Sequence, residues 1–196
     1  MQVSVSVFDV RNKRADWIEK EKDLDISHLV FLDESGVNIN LTRTYGRSIG
    51  KERVLDHTPL NTPLTTTVLS SIRTDGSNVT ITYPGGTTGE RFSTYLKENL
   101  IPSLKPGDTV VMDNMRSHHV KAVQECFSET GLNLLYLPPY SPDFNPIEKM
   151  WSKMKSILRK WKIRDASLLP QAIEKALALV TPQDCKHWFQ SCGYSY

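Results

Sequence analysis

Three acidic residues, Asp33, Asp113 and Glu148, stand where carboxylates could hold hard divalent cations. Asp33 follows the apolar run Leu29, Val30, Phe31 and Leu32, and Asp113 follows Val110, Val111 and Met112. Such runs predict buried strands, and the residue that ends one lies at the sheet edge where ligand sites of α/β folds are found. Glu148 follows the proline-rich stretch 138–146, in the first turn of a predicted helix. Carboxylate oxygens suit Mg2+ or Mn2+. Two such ions about 3.5 to 4 Å apart can serve both the nucleophile and the leaving oxygen of a phosphodiester. The three acids alone predict a metal nuclease with two ions.

Each acid also has a plainer explanation. Glu148 lies three residues after Asn145, with Pro146 between them, the arrangement of a helix N-cap with an acid at its third position. Asp33 precedes Ser35-Gly36 and fits a turn, and Asp113-Asn114 fits an Asx turn. Asp143, in Ser-Pro-Asp-Phe, reads as a turn residue. Asn114 and Asn145 are candidates to orient the metal ligands from behind, or simply to hold their turns. Tyr136, Tyr140 and Phe144 are expected to wedge the proline-rich loop in place.

The elements that must position these residues follow the order βββαβαβα. Residues 64–73 and 78–83 are β-rich and flank Thr74-Asp75-Gly76-Ser77, a hairpin signal. With the Asp33 strand they form a three-stranded antiparallel meander. Phe92, Tyr95, Leu96 and Leu100 recur at helical spacing, predicting a helix over 88–100. A helix over 120–130, closed by Gly131, joins the Asp113 strand to one at 134–137. Thirty-four residues separate Asp113 from Glu148, room for one helix and one strand. That order is the ribonuclease H-like fold, an α/β fold with a mixed five-stranded sheet flanked by helices. Residues 168–180 and 182–190 read as closing helices, 1–26 as an N-terminal linker, and 27–196 as the catalytic domain.

The FLDESG box around Asp33, the VVMDN box followed by His118, the LPPYSPDFNPIEKMW box and the thirty-four-residue spacing resemble the DDE transposases of the mariner superfamily, especially the bacterial insertion-sequence branch. The likeness runs from about residue 9 to 194. It implies that Asp33, Asp113 and Glu148 are the catalytic metal ligands, with His118 close by. It further implies cleavage at transposon ends and transfer of the freed 3′ hydroxyl into target DNA, commonly at a TA dinucleotide. Relatives carry a helix-turn-helix region further upstream, which this sequence does not include. Their loop at the place of residues 36–62 reaches a partner subunit or DNA, so a homodimer on double-stranded DNA is expected. Two other readings compete: a nuclease of the same fold without strand transfer, and a non-catalytic remnant that binds DNA or dimerises.

Composition narrows the setting. At 196 residues and 39% hydrophobic, the chain can bury one sizeable core. Cys126, Cys185 and Cys192 form no CxxC pair, which argues against a zinc site or disulfide framework and for a reducing cytoplasm; the resemblance implies a place on the bacterial nucleoid. No apolar run approaches the roughly 18 residues of a membrane span. Net charge is only +2, but basic residues gather in two places. Arg43, Arg47, Lys51 and Arg53 lie in the insertion. Lys149, Lys153, Lys155, Arg159 and Lys160 lie on the helix of Glu148, opposite an apolar stripe of Ile147, Met150, Trp151, Met154, Ile157, Leu158 and Trp161. These cations are the candidate phosphate contacts.

Overall fold

A computed structural model describes residues 7–50, 52–60, 64–114, 121–128 and 130–195. Five strands form one sheet: β1 (Leu29–Val37), β2 (Thr66–Ile72), β3 (Thr80–Pro84), β4 (Thr109–Met112) and β5 (Asn133–Tyr136). Their order is β3-β2-β1-β4-β5; β3, β2 and β1 pair antiparallel, while β1, β4 and β5 run parallel. The mixed sheet and meander are those expected from sequence. Strands covered on both faces need continuous apolar runs, which explains Leu29 to Leu32 and Val110 to Met112.

Alternation along β1 feeds two cores. Phe31 faces one side with α1 (Val7–Glu21), α4 (Ile147–Trp161), α5 (Leu169–Leu177) and α6 (Pro182–Ser191). Val30 and Leu32 face the other with α2 (Gly89–Tyr95) and α3 (Lys121–Ser128). The helix predicted over 88–100 is α2, capped by the Thr88 side chain, then a wider turn over Leu96–Leu100 that keeps Leu96 and Leu100 buried. Gly131, with φ of 67°, follows α3 in the left-handed conformation that favours glycine.

Two sequence expectations change. The strand does not end at Asp33: β1 continues to Val37 because residues 33–37 pair with Ser70 to Thr66 of β2. Asp33 is thus a mid-strand residue, not a turn residue. The insertion therefore starts at residue 38 rather than 36, and its described residues up to β2 carry no helix or strand. It is tied down by Arg164, which donates to the carbonyls of Ile39 and Leu41 at 2.6 and 2.9 Å, and by a Lys162–Asp56 pair at 2.9 Å.

The segment read as a linker holds α1, which docks on the sheet through Trp17, 5% exposed. The Trp17 indole donates to the Tyr194 hydroxyl at 3.2 Å, and Tyr194 donates to the Phe144 carbonyl at 2.8 Å. Phe31 meets Phe189 edge-on at 5.3 Å and Tyr194 at 5.0 Å. Helix α6 begins with a reciprocal cap between Thr181 and Asp184. Among the described residues, no helix is long and apolar enough to cross a membrane.

Candidate active site

Parallel pairing sets the first two acids side by side. Leu32 of β1 pairs with Met112 of β4, and the residues that follow are Asp33, still within β1, and Asp113, just past the end of β4. Adjacent strands lie about 4.8 Å apart, so both carboxylates start from one level of the sheet. Beyond them the chain leaves β5 at Leu137, whose amide bonds the Met112 carbonyl at 2.9 Å, and crosses the proline-rich loop to α4. Asp33, Asp113 and Glu148 all line one cavity of about 560 Å³, walled by Asn114, Asn145 and residues 137–142. A larger groove of about 740 Å³ between β3 and α5 has Glu174 as its single ionisable lining residue, so it offers no comparable chemistry.

Asp33 is 7% exposed and strongly constrained. Its Oδ1 accepts from the Glu34 amide at 2.7 Å, and its Oδ2 faces the Asn145 amide nitrogen at 3.4 Å and the Trp151 indole N–H at 3.3 Å. The capping explanation for Asn145 therefore fails. Helix α4 has no side-chain cap bond, and Asn145 turns toward Asp33 instead. Its Oδ1 is buried with no hydrogen-bond partner. Sequence reasoning placed Trp151 only in the apolar stripe; its place three residues after Glu148 on α4 sets its indole edge near the same site.

Burial pushes the Asp33 carboxyl up to about 7; the Glu34 amide opposes this, and the charges of Asp113 and Glu148 reinforce it. Hard oxygen donors, mutual repulsion relieved by a cation and an unpartnered buried oxygen together fit a divalent metal. The carboxylates share the cavity without closing on a common point: among the described residues, no three His, Cys, Asp or Glu are gathered tightly enough to hold an ion.

A pH linkage follows. Unfolded, Asp33 ionises near 4, so the fold binds its proton more tightly, and stability falls as pH rises from about 4 to about 7 and stays lowered above. The melting temperature of the metal-free protein should fall between pH 5 and 8, and less so in Asp33→Asn. Saturating Mg2+ should raise it more at pH 8 than at pH 5. Equal increments at both pH values would remove the linkage.

The loop beneath the cavity is fastened from α1. Arg14 grips Asp143 through two bonds at 2.9 and 2.6 Å, donates to the Ser141 hydroxyl at 2.8 Å and lies over the Phe144 ring at 4.5 Å. Asp143 is thus an anchor for the loop, and Arg14 went unnoticed in the sequence. Arg14→Ala should cost about 1 kcal/mol of stability, since the pair is partly solvated, yet reduce DNA nicking several-fold by loosening residues 138–146. Unchanged nicking would show that the loop holds without it.

The remaining expected residues separate. Asn114 lines the cavity; His118 and Lys51 lie outside the described residues. Arg43, Arg47 and Arg53 are exposed on the insertion. On α4, Lys149 and Lys160 are exposed and Lys155 and Arg159 half-buried, but Lys153 is bound to Asp184 at 2.5 Å and belongs to the α6 cap rather than to an open phosphate surface. The apolar stripe holds from Ile147 to Leu158, with Ile157 half-buried, while Trp161 is 41% exposed because the helix ends there, at Lys162 with φ of 52°. Phe144 is buried, as expected for a loop wedge, whereas Tyr136 is half-buried against the α2–α3 core and Tyr140 stands out in solvent.

Comparison with known proteins places the fold and the family. The Tcb1 transposase of Caenorhabditis briggsae is 29% identical over 93 residues, covering 42% of this chain and 34% of that protein. The crystal structure of the catalytic domain of Mos1 mariner transposase superposes with a TM-score of 0.68 at 13% identity, covering 98% of this chain and 90% of that one. The Mos1 mariner paired end complex with Mn gives 0.73 at 14% identity, covering 93% and 58%. This chain thus spans about a third of the Tcb1 protein and somewhat over half of the Mos1 chain in that complex. The shared architecture is the ribonuclease H-like fold. The DDE superfamily endonuclease family matches residues 28–169, which contain all three acids of the cavity, and the chain belongs to that family.

Proposed function

We propose that this chain is the catalytic domain of a transposase of the bacterial insertion-sequence branch. It cuts double-stranded DNA at transposon ends and joins the freed 3′ hydroxyl to target DNA. The carrying observation is that Asp33, Asp113 and Glu148 line one cavity, where burial, reinforced by the other two charges, raises the Asp33 carboxyl. Asp33, Asp113 and Glu148 would hold Mg2+ or Mn2+, which when bound would make water a better nucleophile and neutralise the leaving oxygen. Asn145 and Trp151 fix the Asp33 carboxylate, Asn114 lies at the cavity wall, and Arg14 holds the loop that closes the cavity's lower side.

Residues 27–196 form the catalytic unit in this reading, and α1 within 1–26 braces it. Arg43, Arg47, Arg53, Lys149, Lys155, Arg159 and Lys160 supply phosphate contacts, giving salt-dependent affinity. The insertion, with Tyr45, Ile49, Leu55 and Leu60 exposed, supplies the contact for a homodimer on DNA. The protein works in the cytoplasm, on the nucleoid.

One assay separates this reading from its rivals: a pre-cleaved transposon end, plasmid target and Mn2+. Joined products support the transposase; nicks alone identify a nuclease of the same fold; neither product leaves a non-catalytic binding protein. Deleting residues 38–62 should lower the sedimenting mass of the DNA complex, and an unchanged mass would remove the insertion from the dimer contact.

A further inference from the structure

Tyr140 puts a large aromatic side chain where the loop's backbone suits a smaller residue. Its φ is 55°, the left-handed region that tyrosine rarely adopts, and its side chain is 85% exposed at the rim of the carboxylate cavity. A turn needing that backbone is better made with glycine or asparagine, and burial would favour an aromatic ring turned inward. Phe144, four residues on, does turn inward, at 8% exposed.

The strain is fixed by the surroundings. Pro138, Pro139 and Pro142 restrict the backbone on both sides. The buried Ser141 hydroxyl accepts from Arg14 and donates to the Pro139 carbonyl at 3.1 Å, while the Phe144 amide closes on the Ser141 carbonyl at 3.2 Å. A rigid loop thus presents one flat ring beside the three carboxylates. Backbone strain of this kind gathers at ligand-contacting positions.

We propose that Tyr140 is a positioning residue whose ring stacks on a nucleobase of the DNA strand entering the cavity, next to the phosphate to be cut. The inference rests on the nuclease chemistry proposed above and adds what holds the strand in place. Stacking tolerates any base, since each has a π face, so it suits an enzyme that cuts a fixed bond within varied flanking DNA.

The test compares wild type, Tyr140→Phe and Tyr140→Gly in two measurements. One is nicking of a supercoiled plasmid with Mn2+. The other is fluorescence of 2-aminopurine, placed at the junction of a duplex and a single-stranded overhang, titrated with protein in chelator. Wild type and Tyr140→Phe should quench the probe and nick alike. Tyr140→Gly should lose the quenching and nick at least tenfold more slowly, yet melt at the same or a higher temperature, because glycine accepts the positive φ. A purely structural tyrosine would not separate activity from melting in that direction. Nicking by Tyr140→Gly at the wild-type rate, or no quenching by wild type, overturns the stacking. Quenching that depends on Tyr140 in a protein that never nicks would overturn the nuclease reading and leave the stacking standing.

Discussion

Asp113→Asn should abolish metal-dependent cleavage, by at least about a thousandfold or ~4 kcal/mol of transition-state stabilisation, while leaving the metal-free fold intact or steadier. Asp113 is one of three carboxylates in the cavity, and its charge helps raise Asp33. Asparagine keeps the shape but removes the charge that would draw in a cation and that, without one, works against its neighbour. Loss of nicking with an unchanged or higher melting temperature in chelator would confirm both halves. Nicking within tenfold of wild type would refute the assignment of Asp113 as a ligand. A lowered melting temperature would mean that Asp113 serves the fold instead.

Arg73→Ala should produce the largest loss of stability, about 3 kcal/mol, because it takes the guanidinium from a buried carboxylate and leaves it only the Lys105 amide and His28. Asp108, just before β4, is 1% exposed. It receives both Arg73 guanidinium nitrogens, the Lys105 amide at 2.7 Å and His28 Nδ1 at 3.1 Å. Burial pushes the Asp108 carboxyl up, but the bonds from Arg73 and Lys105 outweigh it and leave it below its ordinary range. Its stabilising contribution is therefore present above the ordinary aspartate range and disappears as acid protonates it in the folded state. Urea unfolding would measure the loss, and Arg73→Ala with Asp108→Asn should recover part of it. Additive losses in the double variant would show that the two residues are not coupled. Asp108 and Asp113 are five residues apart on an extended chain, roughly 16 Å. Folded Arg73→Ala should therefore keep its cleavage activity.

The sheet was legible where local sequence settles the outcome. Leu29 to Leu32 and Val110 to Met112 are apolar on both faces, and Asp75-Gly76 makes the hairpin whose Ser77 amide and hydroxyl bond Asp75. The candidate acids were legible for the same reason, since each follows or precedes a strongly patterned element. What escaped depends on contacts distant in sequence. Asp33 looked like the end of a strand because its continued pairing with Ser70 belongs to β2. Asn145 looked like a helix cap because its actual partner, Asp33, is 112 residues away. Lys153 looked like an open cation because Asp184 lies on another helix. Tyr140 looked like a wedge, since composition cannot reveal a positive φ.

Tyr194 lies 177 positions from Trp17 and 50 from Phe144, yet bonds to both. Closing so long a span costs chain entropy, though the cost grows only slowly with length. The loop under the carboxylates is thus braced from both ends of the chain, by Arg14 of α1 and by Tyr194, and a chain cut short of residue 194 would keep only the first brace.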